Sequence, residues 1–187
     1  MNSKLNKIGN VIFPDFTGEM AYMVEIQKNK PLPDKYSRWS ETINLMLKGI
    51  EVDSPLFMTI HQSIVKKGES QRRGGVHIDG NWIESKYKTM AWDAGPSWKT
   101  NELEKGGIIL ASDCVGTKAY TGKFEGEPEE GGDCSLLNLN DANALILEPN
   151  TAYIGNVTMV HESMPSPITQ KRIFVRLTMP EDFIFAA

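Results

Sequence analysis

The sequence predicts a mainly β domain, a sandwich or barrel with helical cover on one side. Three observations carry this: six short strand-like runs follow one another from residue 56 onward, Gly, Pro, Asn and Asp punctuate them at short intervals, and one amphipathic helical pattern precedes them. The helix is read over 34–49 (DKYSRWSETINLMLKG), where Trp39, Ile43, Met46, Leu47 and Ile50 fall at i, i+4, i+7, i+8 and i+11 and Gly49 marks the stop. An apolar stripe of this kind needs a flat partner. The strands are read at 56–65 (LFMTIHQSIV), 107–112 (GIILAS), 144–148 (ALILE), 151–155 (TAYIG), 157–162 (VTMVHE) and 171–179 (KRIFVRLTM). No internal repeat is visible.

Two segments break the strand rhythm. Residues 80–106 carry Trp82, Trp92 and Trp98 among Gly, Pro and Lys, and 121–133 (TGKFEGEPEEGGD) is acidic and Gly-rich. Insertions of this length are either lids that choose a substrate or plain connections. For the tryptophans, packing is the first reading and a substrate platform the second.

The chain has 187 residues, 20 Lys+Arg against 24 Asp+Glu, and two cysteines. That length fits one domain, 1–187, with its core over approximately 56–179. A net charge of -4 supplies no general attraction for phosphate backbones or anionic lipid. Nucleic acid is therefore disfavoured as a partner. No run approaches the roughly 18 apolar residues of a membrane span, and the N-terminus lacks the pattern of a secretory signal, so a cytoplasmic protein is expected. Cys114 and Cys134 form no C-x-x-C pair and are read as reduced and incidental.

Only three histidines are present, at 61, 77 and 161. In His77-Ile78-Asp79 the single intervening residue puts imidazole and carboxylate on the same face of an extended segment. Together with a third ligand they would form the two-histidine, one-carboxylate set that suits a divalent transition metal with open positions. His161, near the end of its strand, is the candidate third ligand. The strand that follows alternates strictly: Ile173, Val175, Leu177 and Met179 make one face, and Arg172, Phe174, Arg176 and Thr178 the other. A guanidinium turned toward a barrel interior needs an anion, and its planar fork matches a carboxylate.

The order H-x-D, a long gap, a distal His and a basic residue about ten positions on resembles the iron(II)- and 2-oxoglutarate-dependent oxygenase superfamily over roughly residues 56–179. The resemblance implies a double-stranded β-helix, or jelly roll, with the helix flanking it, and a small-molecule or peptidyl substrate. It implies Fe(II) held by His77, Asp79 and His161, and 2-oxoglutarate anchored by a basic residue through its distal carboxylate. Arg172, eleven positions after His161, is preferred for that role. Arg176 is the reserve, because Arg176-Leu177-Thr178 also resembles the family's R-x-S element; Lys171 has the spacing some branches use but the parity of the apolar face. Phe174 stands where that element has Ser if Arg172 is chosen. In LFMTIHQSIV, Thr59, His61 and Ser63 share a face, so His61 or Thr59 could contact the co-substrate, and Tyr153 and Asn156 are further pocket candidates. The implied reaction is oxidative decarboxylation of 2-oxoglutarate to succinate and CO2 coupled to hydroxylation of a C–H bond. Two alternatives stand beside it. A cupin-type jelly roll, metal enzyme or sugar-binding module, prefers H-x-H plus Glu, and no H-x-H occurs here. A non-catalytic β-sandwich would use His77 and Asp79 only to cap a turn.

Overall fold

A computed structural model describes residues 1–79 and 105–185. Trp82, Trp92 and Trp98 lie outside the described residues. In chain order the elements are β1 (Asn2–Ser3), β2 (Leu5–Asn10), β3 (Met20–Ile26), α1 (Ser40–Met46), β4 (Leu56–Val65), β5 (Lys105–Ser112), β6 (Thr117–Tyr120), β7 (Gly122–Lys123), β8 (Ala144–Ile146), β9 (Thr151–Gly155), β10 (Val160–Ser163) and β11 (Gln170–Ile184). A six-stranded sheet has the order β2-β9-β5-β11-β4-β3, and a three-stranded sheet the order β10-β6-β8; β1 pairs with β7. All pairings are antiparallel.

From β4 onward the chain passes back and forth between the two sheets. β4 belongs to the large sheet, the His77 segment bridges to His161 of the small one, β5 returns to the large sheet, and β6 and β8 build the small one. β9, β10 and β11 then alternate large, small, large. This is a double-stranded β-helix, a jelly roll, and it is mainly β with one short α-helix outside, as expected.

The alternation on β11 decides what each layer contains. Ile173, Val175, Leu177 and Met179 join Met58 and Ile60 of β4 in a buried cluster with Trp39, Ile43, Met46 and Leu47, so the helical segment covers the outer face of the large sheet. Each large apolar side chain buried there contributes roughly 1.5–3 kcal/mol. Trp39 is fully buried and its indole N–H donates to Glu19 at 2.9 Å. The opposite face looks toward the small sheet: Arg172, Phe174 and Arg176 stand opposite Ser63, His61 and Thr59 of β4. Phe174 packs there with Leu110, Ala119, Tyr153 and Met159. A third cluster, Ile78, Tyr120, Phe124, Cys134, Leu137 and Val160, closes the far side of the small sheet.

Several boundaries differ from the sequence reading for identifiable reasons. The helix is a 3-10 turn over Asp34–Trp39 followed by α1, with Gly49 at φ +76° near the stop. The run at 157–162 opens as a turn, with Met159 N–H donating to the Asn156 carbonyl at 2.9 Å, before β10 begins. β3 was hidden because it is bulged between Ala21 and Val24, with Met23 at φ +53°. The tail continues β11 past a register shift near Pro180, and Phe183 and Phe185 bury themselves in the outer core. Among the described residues no helix is long and apolar enough to cross a membrane. Both cysteines are free thiols.

Candidate metal centre

His77 and His161 exchange both backbone hydrogen bonds, each at 2.9 Å. They are therefore directly opposed residues of an antiparallel pair, and their side chains rise on one side with ring centroids 4.6 Å apart. Ile78 points away into the fully buried cover of the small sheet, and Asp79 returns to the side of the imidazoles. Candidate ligand atoms of His77, Asp79 and His161 all lie within 4.8 Å of one another. Asp79 Oδ2 is 3.5 Å from His161 Nε2, and Oδ1 is 4.0 Å from His77 Nε2.

Backbone carbonyls set the tautomers. His77 Nδ1 contacts the Gly75 carbonyl at 2.8 Å and His161 Nδ1 the Met159 carbonyl at 3.1 Å. A carbonyl only accepts, so Nδ1 carries a proton in both rings and each Nε2 is the nitrogen that faces the centre. Burial, assisted by the neighbouring His161, pushes the pKa of His77 down to about 4, so the ring is neutral at neutral pH. Burial alone would raise the carboxyl of Asp79; the Arg176 guanidinium, aided by His161, overcomes it and holds the group well below the usual carboxylate range. Two imidazole Nε2 atoms and one carboxylate, converging with the far ring nitrogens already hydrogen-bonded, fit a divalent transition metal.

The two arginines of β11 have different surroundings. Arg176 places Nη1 2.8 Å from Asp79 Oδ2 and Nη2 3.9 Å from the Met23 sulfur, which the bulge in β3 turns toward it. Arg172 is 2% exposed, and its Nε and Nη2 donate to the hydroxyls of Ser112 at 3.2 Å and Thr117 at 3.3 Å. Gly116 makes room for it: a Cβ there would lie 2.4 Å from Arg172 Cζ. This buried guanidinium faces hydroxyls and makes no carboxylate ion pair among the described residues, with Asp113 acting on it at longer range; a group so placed can accept an anion. A cavity of about 220 Å³ opens onto this region, lined by the three candidate ligands together with Thr117, Phe174 and Arg176, and by Tyr22, Arg72 and Ser163.

No protein-family model and no curated protein matches the sequence. Two solved structures of EvdO2 from Micromonospora carbonacea var. aurantiaca are similar to this chain at 13% identity. The one complexed with 2-oxoglutarate gives a TM-score of 0.45 over 84% of this chain and 67% of its own, and the other 0.46 over 88% and 70%.

Other candidates named from the sequence serve different ends. Thr59 donates to the Met23 sulfur at 3.6 Å, and His61 stands opposite Phe174 with an Nδ1 that has no partner among the described residues. Tyr153 is buried between the sheets and accepts from the Glu148 N–H at 3.3 Å. Asn156 ties down the N-terminus, accepting from the Lys4 N–H and donating to the Asn2 carbonyl. Lys171 lies over the Phe16 ring on the outer face, as its parity requires. The acidic segment packs through Phe124, and its end braces the H-x-D segment: Ile78 N–H donates to Gly132 and Cys134 N–H to Val76, both at 2.9 Å. Sequence reasoning missed Thr117, Tyr22 and Arg72; for Arg72 the signal was the Arg72-Arg73 pair directly before the glycines of the H-x-D segment.

Proposed function

We propose that this protein is an Fe(II)- and 2-oxoglutarate-dependent oxygenase that hydroxylates a small-molecule or peptidyl substrate. The observation that carries the reading is the convergence of His77, Asp79 and His161, two imidazoles and one carboxylate, on one point of the cavity between the sheets. These three residues would hold the metal. Arg172, with Thr117 beside it, would take the distal carboxylate of 2-oxoglutarate, a buried charge meeting the anion it lacks. When both are bound, such a centre would use O2 to couple oxidative decarboxylation of 2-oxoglutarate, giving succinate and CO2, to hydroxylation of a C–H bond, one oxygen atom going to each product.

The chain's own contribution is orientation and charge. The Gly75 and Met159 carbonyls fix the two rings, and Arg176 holds Asp79 ionised and aimed. The packed layer beneath, with Leu110, Tyr153 and Met159, keeps the inner end of the cavity dry. The test is anaerobic addition of Fe(II) and 2-oxoglutarate. A visible metal-to-ligand absorption band is expected, with slow succinate formation once oxygen enters. His161→Ala should lose both while retaining the wild-type circular dichroism spectrum. A wild-type protein that develops neither signal would exclude the reading.

A further inference from the structure

Apart from Arg176, the cavity lining carries two guanidinium groups that the metal donors and a 2-oxo diacid do not use, those of Arg72 and Arg73. Arg176 is engaged with Asp79, and Arg172 faces Ser112 and Thr117. Arg72 also lines the cavity, and its guanidinium lies 5.5 Å over the ring of Phe174. Stacking on an aromatic face leaves the N–H edge of the fork free to grip an anion. Among the described residues, no carboxylate lies within ion-pair distance of it.

This arginine is held in place from both sheets. Gln71 Nε2, one residue before, donates to the carbonyls of His61 and Arg172 at 3.1 and 3.0 Å and to Ser63 Oγ at 3.1 Å, which anchors the segment to the large sheet. The N–H of Arg72 itself donates to Ser163 Oγ at 3.3 Å, two residues beyond His161 on the small sheet. Ser70 Oγ adds a bond to the Ser163 carbonyl at 2.9 Å. The neighbouring Arg73 also lines the cavity, but it is exposed and its guanidinium is engaged with the Gly131 carbonyl, so it braces the acidic segment. A half-buried cation fixed beside the metal donors, without an ion-pair partner among the described residues, is costly unless a ligand supplies the counter-charge.

We propose that Arg72 binds an anionic group, a carboxylate or phosphate, on the substrate that is oxidised. The proposal rests on the oxygenase reading, in which the metal and Arg172 already account for both carboxylates of 2-oxoglutarate. With Arg73 and Arg176 already engaged, one guanidinium is left to a ligand in a cavity of about 220 Å³; on a chain of net charge -4 this suits a small acid and not a polyanion.

The test uses Ni(II)-loaded protein, which does not turn over. Binding of 2-oxoglutarate is measured first by calorimetry; its absence in the wild type would defeat the oxygenase reading, and this inference with it. With 2-oxoglutarate saturating, acetate and methyl phosphate are then titrated into wild type, Arg72→Gln, Arg72→Lys and Arg73→Gln. At least one anion should bind the wild type and Arg73→Gln alike, at least tenfold more weakly to Arg72→Gln, and with intermediate strength to Arg72→Lys. The affinity of Arg72→Gln for 2-oxoglutarate should stay within about threefold of wild type. Three results would overturn the inference while leaving the oxygenase reading intact: neither anion binds the wild type, Arg72→Gln binds them equally well, or Arg72→Gln loses 2-oxoglutarate in parallel.

Discussion

Asp79 and Arg176 make the closest charged contact of the candidate metal centre, 2.8 Å between Oδ2 and Nη1, against 3.5 and 4.0 Å from the same carboxylate to the two imidazoles. The guanidinium thus orients a candidate metal donor, and loss of such a positioning group usually costs ten- to a hundredfold in metal affinity. Arg176→Met is expected to weaken Ni(II) binding by about that factor, and Arg176→Lys by less, because a charge remains without the fork. Calorimetric titration of the metal-free protein measures both.

Arg172 should behave in the opposite way. Arg172→Met is expected to leave Ni(II) affinity within about threefold of wild type and to reduce 2-oxoglutarate affinity at least tenfold. Gly116→Ala provides a second, gentler probe, since its methyl would lie 2.4 Å from the far end of the Arg172 side chain. That end can move aside at little cost in stability, but it then leaves the Thr117 hydroxyl. The variant should melt near the wild-type temperature and bind 2-oxoglutarate more weakly.

At Gly132 the obstruction is backbone. A Cβ there would meet the Ile78 carbonyl at 2.5 Å, and φ is +75°, where a side chain is strained. Gly132→Ala should destabilise the fold by about 1–3 kcal/mol in urea unfolding. Because Ile78 stands between His77 and Asp79, it should also weaken Ni(II) binding.

Acid should destabilise the metal-free protein well before carboxylates titrate. Burial takes His77 from its ordinary 6.5 to about 4 and lowers His61 as well. Between these values the unfolded chain binds protons that the folded chain refuses, so stability is fully present above about pH 6.5 and declines as the pH falls toward 4. His77 alone contributes on the order of 3 kcal/mol across that window. Asp79, held low by Arg176, adds a loss in the same direction only below its ordinary 3.8. Urea midpoints measured from about pH 7 to about pH 4.5 should fall, and His77→Gln should flatten much of the slope.

The parts of this molecule that were legible in the sequence are those where one local rule suffices. Strict alternation placed Arg172, Phe174 and Arg176 on one face of β11 and put Lys171 on the other; the single residue inside His77-Ile78-Asp79 set imidazole and carboxylate on a common side. The same rule could not separate Arg172 from Arg176, because both have the same parity. Their surroundings are set by other strands: Asp79 reaches one, while Ser112, Gly116 and Thr117 surround the other. Arg72 was hidden because its position depends on Gln71 and Ser163, which no spacing connects. β3 escaped because Met23 interrupts the period of two.

The reciprocal main-chain bonds between His77 and His161 also bear on how the molecule comes apart. The two rings acquire their common orientation only when segments far apart along the polypeptide have zipped together, a late event for any topology rich in distant pairings. An ion gripping both rings would then act as a latch on a finished closure: bound metal should lengthen the lifetime of the folded molecule against unfolding and leave its rate of formation nearly unchanged.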